Sequence, residues 1–172
     1  MIIELGTTDL KTRYGLWQEH LFYDGQKESI AMTFGPIANG EDILCRVHSS
    51  CIFGHYFNSV ECTCQEEMDR SMEWIQEAGK GIIILLDQEG KGNGHYALMQ
   101  SIRYKREGVP QAEAYQAAGF SNDARSYGAA AKILQHLKPA SIRLLTNNQK
   151  KVANLEEWGI KVLGIRPLNS IG

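Results

Sequence analysis

Residues 81–87, GIIILLD, are apolar at every position from Ile82 to Leu86, so an extended chain there is hydrophobic on both faces. Such a strand needs cover on both sides, which predicts a sheet buried between helices. The segment SIRLLT at 141–146 reads as a second buried strand, and IKVLGI at 160–165 as a third. Helical patterns fill the intervals. Residues 65–78 put Met68, Met72 and Ile75 at helical spacing, and Gly79 stops the run. Further helices are expected over 96–107, over 110–119, from about Arg125 to Leu137 ahead of Pro139, and after NNQKK up to Gly159. Upstream, 28–34 (ESIAMTF) and 42–48 (DILCRVH) alternate like strands, and the turn-rich GPIANGE between them predicts an antiparallel hairpin. The expected fold class is α/β (α+β), a mixed β-sheet with flanking helices. At 172 residues the chain is long enough for one compact domain, taken as 1–172.

A net charge of -2 gives no general attraction to nucleic acid, so any anion site must be local. The N-terminal MIIELGTTDL lacks a basic segment followed by an apolar run, and no stretch has the length of a bilayer span. The expectation is a cytoplasmic protein with no membrane and no nucleic-acid partner. Its four cysteines should then stay reduced, which favours metal binding or burial over disulfides.

Cys51, Cys62 and Cys64 form C-x10-C-x-C, with Cys45 six residues upstream in a strand. Three thiolates suit zinc and leave one tetrahedral position for water, the arrangement of a catalytic site. Cys45, His48 or His55 as a fourth ligand would make the site structural, and buried free thiols remain the plain alternative. Two loops at strand ends add polar groups. QEGKGNG at 88–94 offers backbone amides and Lys91 to an anion, and TNNQKK at 146–151 offers hydroxyl, amide and lysine groups. Open α/β sheets bind ligands beyond the C-terminal ends of their strands, where both loops fall.

Taken in order, RVHSSC, C-x10-C-x-C, QEGKGNG, GFSNDARSYG and RLLTNNQKK resemble the GTP cyclohydrolase II family over nearly the whole chain. The resemblance implies one catalytic Zn2+ per chain on Cys51, Cys62 and Cys64, hydrolytic attack at C8 of guanine, and loss of formate and pyrophosphate. It also implies a homodimer and a role like that of riboflavin biosynthesis enzymes. By the same resemblance Arg125 matches an arginine proposed to attack the α-phosphorus and Asp123 its supporting base, while Arg46, Glu89, Lys91, Thr146 and Lys151 fall at GTP contacts. A nucleoside triphosphate would bring Mg2+ with it. An arginine resists deprotonation, so an electrostatic role for Arg125 competes with a covalent one.

The chain departs from the family at three places. By the resemblance, Lys91 stands for an arginine and Asp87 for another, and LMQSI at 98–102 replaces a segment with a lysine, an arginine and, at Ile102, a tyrosine implied to be a proton donor. Isoleucine cannot transfer a proton, which predicts that a formamidopyrimidine product accumulates unless Tyr96, Tyr104, His95 or water takes over. Fewer cations point toward a less anionic substrate. Alternatives are therefore a hydrolase of another nitrogen heterocycle in specialised metabolism or nucleobase catabolism, or a zinc nucleotide-binding protein without turnover.

Overall fold

The run at 81–86 forms the strand it predicts and lies inside a seven-stranded mixed sheet. The computed structural model describes residues 1–168, so the end of the expected domain, 169–172, lies outside the described residues. In chain order the elements are β1 (Ile3–Thr12), β2 (Gly15–Tyr23), β3 (Glu28–Phe34), β4 (Ile43–Ser49), α1 (Ile52–His55), α2 (Cys64–Ala78) and β5 (Gly81–Leu86). They continue with α3 (His95–Arg106), α4 (Gln111–Ala117), α5 (Gly128–Leu137), β6 (Ile142–Leu145), α6 (Gln149–Glu157) and β7 (Val162–Arg166). The sheet order is β1-β2-β3-β5-β4-β6-β7. Strands β5, β4, β6 and β7 run parallel, and β1 to β3 form an antiparallel meander joined to β5.

Both faces of β5 are covered. Ile82, Ile84 and Leu86 pack with Ala130, Ile133 and Leu134 of α5 and Leu155 of α6, while Ile83 packs with Ile75 of α2 and Trp17 of β2. Burying each such isoleucine contributes roughly 1.5–3 kcal/mol. Gly79 closes α2 in the left-handed conformation at φ 78°, as its position predicts. Among the described residues no helix is long and apolar enough to cross a membrane.

The expected hairpin does not form. β3 pairs with β2 and β5, and β5 separates it from β4. The connection at 35–41 crosses the end of the sheet instead. Asn39 N–H donates to the Lys138 carbonyl, Ala140 N–H to that of Gly40, and Ile43 N–H to that of Ser141, which delivers the chain beside β6. Ile37 anchors the crossing in the core. Two further corrections concern boundaries: β1 and β2 were not expected, and α5 begins at Gly128 rather than near Arg125, leaving Asp123 and Arg125 in a loop.

Candidate metal centre and substrate cavity

Strand β4 is central among the parallel strands, with β5 on one side and β6 on the other. The chain leaves β4 toward β5 and leaves β5 to return beyond β4 at β6, which opens a crevice at the strands' C-terminal ends. A cavity of about 430 Å³ lies there, lined by residues that follow β4, β5 and β6 and by Lys105, Tyr115, Arg125 and Lys151.

The cysteine spacing resolves into a cluster. Cys51 follows β4, Cys62 precedes α2, and Cys64 is its first residue. Their sulfurs lie within 4.8 Å of one another, Cys51 Sγ to Cys62 Sγ being 3.9 Å. Thiolates sharing a tetrahedral zinc at about 2.3 Å stand about 3.8 Å apart, so the cluster has the dimensions of a three-thiolate site. Gly54 makes room for it, since a Cβ there would meet Cys62 Sγ at 2.9 Å and Cys64 Cβ at 3.1 Å. Burial raises the Cys64 thiol, as do Cys51 and Cys62 beside it; burial likewise raises Cys51. Crowded thiols that resist ionising together are relieved by a cation.

The alternative fourth ligands are placed elsewhere. Cys45 is fully buried in the core, which pushes its thiol up to about 12. Arg46 Nε donates to His48 Nδ1 at 3.2 Å, His48 Nε2 meets His55 Nε2 at 2.9 Å, and His55 Nδ1 meets Gln65 Oε1 at 3.3 Å. Both ring nitrogens of each histidine are thus engaged away from the sulfurs. Arg46 also donates to Glu67 at 2.8 Å and to the Leu145 carbonyl at 3.0 Å, which fixes it on the cavity floor.

The turn after β5 holds its neighbours more than it wraps an anion. Gly92, Asn93 and Gly94 N–H groups all bond within the turn. Gly92, at φ 84°, lies so close to the Arg125 loop that a Cβ would come within 2.7 Å of the Ala124 carbonyl carbon. Ala124 N–H donates to the Lys91 carbonyl at 2.8 Å. Gln88 clamps Ser126, accepting its N–H at 2.8 Å and donating to its carbonyl at 2.6 Å. Glu89 reaches the other way, accepting from Ile52 N–H at the start of α1 and pairing with His95. It is therefore committed to shaping the cysteine loop.

Arg125 makes a forked pair with Asp123, at 2.9 and 2.6 Å. The pair holds the Arg125 guanidinium above its ordinary value despite burial; burial opposes ionisation of Asp123, yet the bonds from Arg125 lower its carboxyl. Thr146 is buried and accepts Asn148 N–H at 3.1 Å, and Lys151 Nζ donates to the Val47 carbonyl at 3.4 Å. Burial first, then Arg46 and Arg125, lower Lys151 to about 7.

The structure brings Arg46, Glu89, Lys91, Arg125, Thr146 and Lys151 together with the three cysteines on one cavity, and Asp123 stands behind Arg125. Asp87 and Ile102 do not line it. Asp87 is exposed beside Lys27 and Ser50, and Ile102 faces an adjoining hollow shared through Glu61. Tyr96 is exposed against Phe120, and His95 is taken by Glu89. Sequence reading missed Lys105 and Tyr115, which reach the cavity from α3 and α4. Their helical spacing marks no face as different from a packed one, so only the docking of these helices reveals them.

Comparison with known proteins identifies the family of the chain. The family described as GTP cyclohydrolase II matches residues 4–167. A "GTP cyclohydrolase-2" of Hahella chejuensis is 37% identical over 92% of this chain and 78% of its own length. "Riboflavin biosynthesis protein RibBA" of Endomicrobium trichonymphae is 37% identical over 97% of this chain and 42% of its own. The chain thus spans less than half the length of that relative. Among solved structures, a two-domain 3,4-dihydroxy-2-butanone 4-phosphate synthase from A. baumannii, RibBX, shares the fold with a TM-score of 0.52 and 14% identity, over 96% of this chain and 40% of that one.

Proposed function

Because this chain belongs to the GTP cyclohydrolase II family, we propose that it is a hydrolase that opens the imidazole ring of GTP or a close purine nucleotide, with one zinc per chain on Cys51, Cys62 and Cys64. The observation that carries the reading is the meeting of a three-thiol cluster and five cations, Arg46, Lys91, Lys105, Arg125 and Lys151, on one cavity. Zinc bound there would supply a Lewis acid and a water activated near neutral pH. The cations would hold the phosphates, which arrive with Mg2+, and Arg125 would oppose charge developing on the α-phosphate as pyrophosphate leaves.

The position of Asp87 outside the cavity removes one argument against an anionic substrate; the lysine and arginine that the family carries where this chain reads LMQSI at 98–102 are still missing. Of the carboxylates on the lining, Glu67 is paired with Arg46, Glu61 with Arg106, and Glu89 is hydrogen-bonded to His95 and Ile52, while Lys91 and Lys105 have no ion-pair partner among the described residues and leave positive charge on the lining. The reading includes a cytoplasmic homodimer built from a single domain over 1–172. Exposed Ile3, Leu5 and Leu10 on β1 offer apolar surface for association.

Mass spectrometry after incubating zinc-loaded protein with GTP, other purine nucleotides and free heterocycles tests the function. A ring-opened product with pyrophosphate is expected. Turnover of an unphosphorylated heterocycle alone would replace the substrate, and GTP bound but never consumed would leave a nucleotide-binding protein.

Lys151 gives this site a pH dependence. Free Lys151 is charged below about 7 and neutral above it, whereas a bound anion favours the charged form. Above that pH binding must take up a proton, so affinity should fall toward tenfold per unit as pH rises. Calorimetric titration with sulfate, which stays dianionic throughout, is expected to weaken from pH 6.5 to 8.5. Lys151→Arg should flatten the profile, and an equally steep profile in that variant would assign the dependence to another group.

A further inference from the structure

Cleaving a carbon–nitrogen bond to release an amine requires a proton on the departing nitrogen. Few groups on the cavity can provide it. Arg46 and Arg125 hold their protons too tightly. Glu61, Glu67 and Glu89 are engaged with Arg106, Arg46 and the His95–Ile52 pair, and His48 is closed in by Arg46 and His55. Lys151 packs on Val47, and its charged neighbours are Arg46, Arg125, Glu67 and Asp123; Lys91 neighbours Arg125, Asp123 and Lys105. No cysteine is among the charged groups that shift either lysine, and Lys105, the third lysine on the lining, lies 5.8 Å from the Tyr115 ring centre.

Tyr115 is placed differently. It lines the cavity from α4 while only 2% exposed, and its electrostatic neighbours include Cys51, Cys64 and Arg125. Lys91 Nζ and Lys105 Nζ each lie 5.8 Å from its ring centre. Tyr115 thus shares one cavity with the thiol cluster and Arg125, and two ammonium groups near its ring offset the charge of its anion. Burial raises its pKa against the opposing influence of the Ser101 hydroxyl, which keeps the proton in place at neutral pH.

We propose that Tyr115 is a catalytic residue, the phenol that protonates the nitrogen leaving the formyl carbon; this rests on the ring-opening reading above. Water oxygen bonds to that carbon, the carbon–nitrogen bond breaks with its electron pair going to nitrogen, and nitrogen takes the phenol proton. The proton shed by the water restores the phenol. Formic acid, ionised as formate, and a free amine leave. Ile102 then costs the reaction nothing, because the acid comes from a different helix.

The test compares wild type, Tyr115→Phe and Tyr115→His, each zinc-loaded, for GTP consumed, formate released and product mass. Wild type is expected to release formate in step with GTP consumption. Tyr115→Phe should keep its zinc and still consume GTP, while formate release falls about 10²–10⁴-fold and the formamido product accumulates. Tyr115→His, which restores an acid, should regain part of that release. An unchanged ratio of formate to GTP in Tyr115→Phe overturns the assignment. So does a wild type that itself stops at the formamido product, the outcome expected if the isoleucine at 102 governs. A wild type that consumes no GTP overturns the GTP-hydrolase reading and this assignment with it.

Discussion

Replacing Cys62 with serine is expected to lower bound zinc from about one per chain to a small fraction of that, and turnover by at least about 10³-fold. The cluster has three sulfurs within 4.8 Å, and the other candidate ligands are engaged elsewhere. With two thiolates left, the metal would keep only half of a tetrahedral shell. Burial and mutual repulsion raise Cys64, so binding must displace protons, and affinity should rise with pH until the thiols are ionised. Metal analysis of purified protein reads the result directly. Cys45→Ala is the control, because Cys45 is a core residue away from the cluster and its loss should leave zinc stoichiometric. Full metal and full turnover in Cys62→Ser would falsify the metal assignment.

The second large effect is expected at Arg125. Arg125→Ala should stay folded and zinc-loaded yet lose pyrophosphate release by about 10³-fold or more, the scale on which a transition-state arginine acts. The loop's backbone is held by Gln88, Asn93 and Lys91, none of which bonds to the guanidinium, so truncation leaves its path intact. The fork to Asp123 raises the guanidinium's proton affinity. That favours Arg125 as a permanent cation opposing charge on the phosphate over a deprotonated nucleophile. Coupled assays of pyrophosphate and ring-opened product separate the two steps. Pyrophosphate released at the wild-type rate would remove Arg125 from the phosphoryl step.

Much of this was legible in the sequence because its signals are local. The run Ile82–Leu86 can be satisfied only by cover on two faces, and C-x10-C-x-C brings its sulfurs together over a short helix and turn that Gly54 leaves open. The hairpin failed where a local signal met a long-range one. GPIANGE has turn chemistry, and Gly40 N–H closes a turn on the Ile37 carbonyl, but its other backbone hydrogen bonds go to residues 138–141, about a hundred positions away. β1 was invisible for another reason: nearly all of it is exposed, so no alternation of burial is written into it. The weight given to Asp87 and Ile102 came from their places in a motif, whereas their side chains point to other hollows.

Gln88 and Glu89 are adjacent in the chain but fasten opposite sides of the cavity, the one to Ser126 and the Arg125 loop, the other to Ile52 and the cysteine loop. Any occupant that fixes one loop therefore reduces the freedom left for the other to lose. Thermodynamic linkage makes such an effect reciprocal: whatever factor the metal contributes to anion affinity, the anion returns to metal affinity. The short turn after β5 thus ties the Arg125 loop to the cysteine loop, although neither Gln88 nor Glu89 bonds to both.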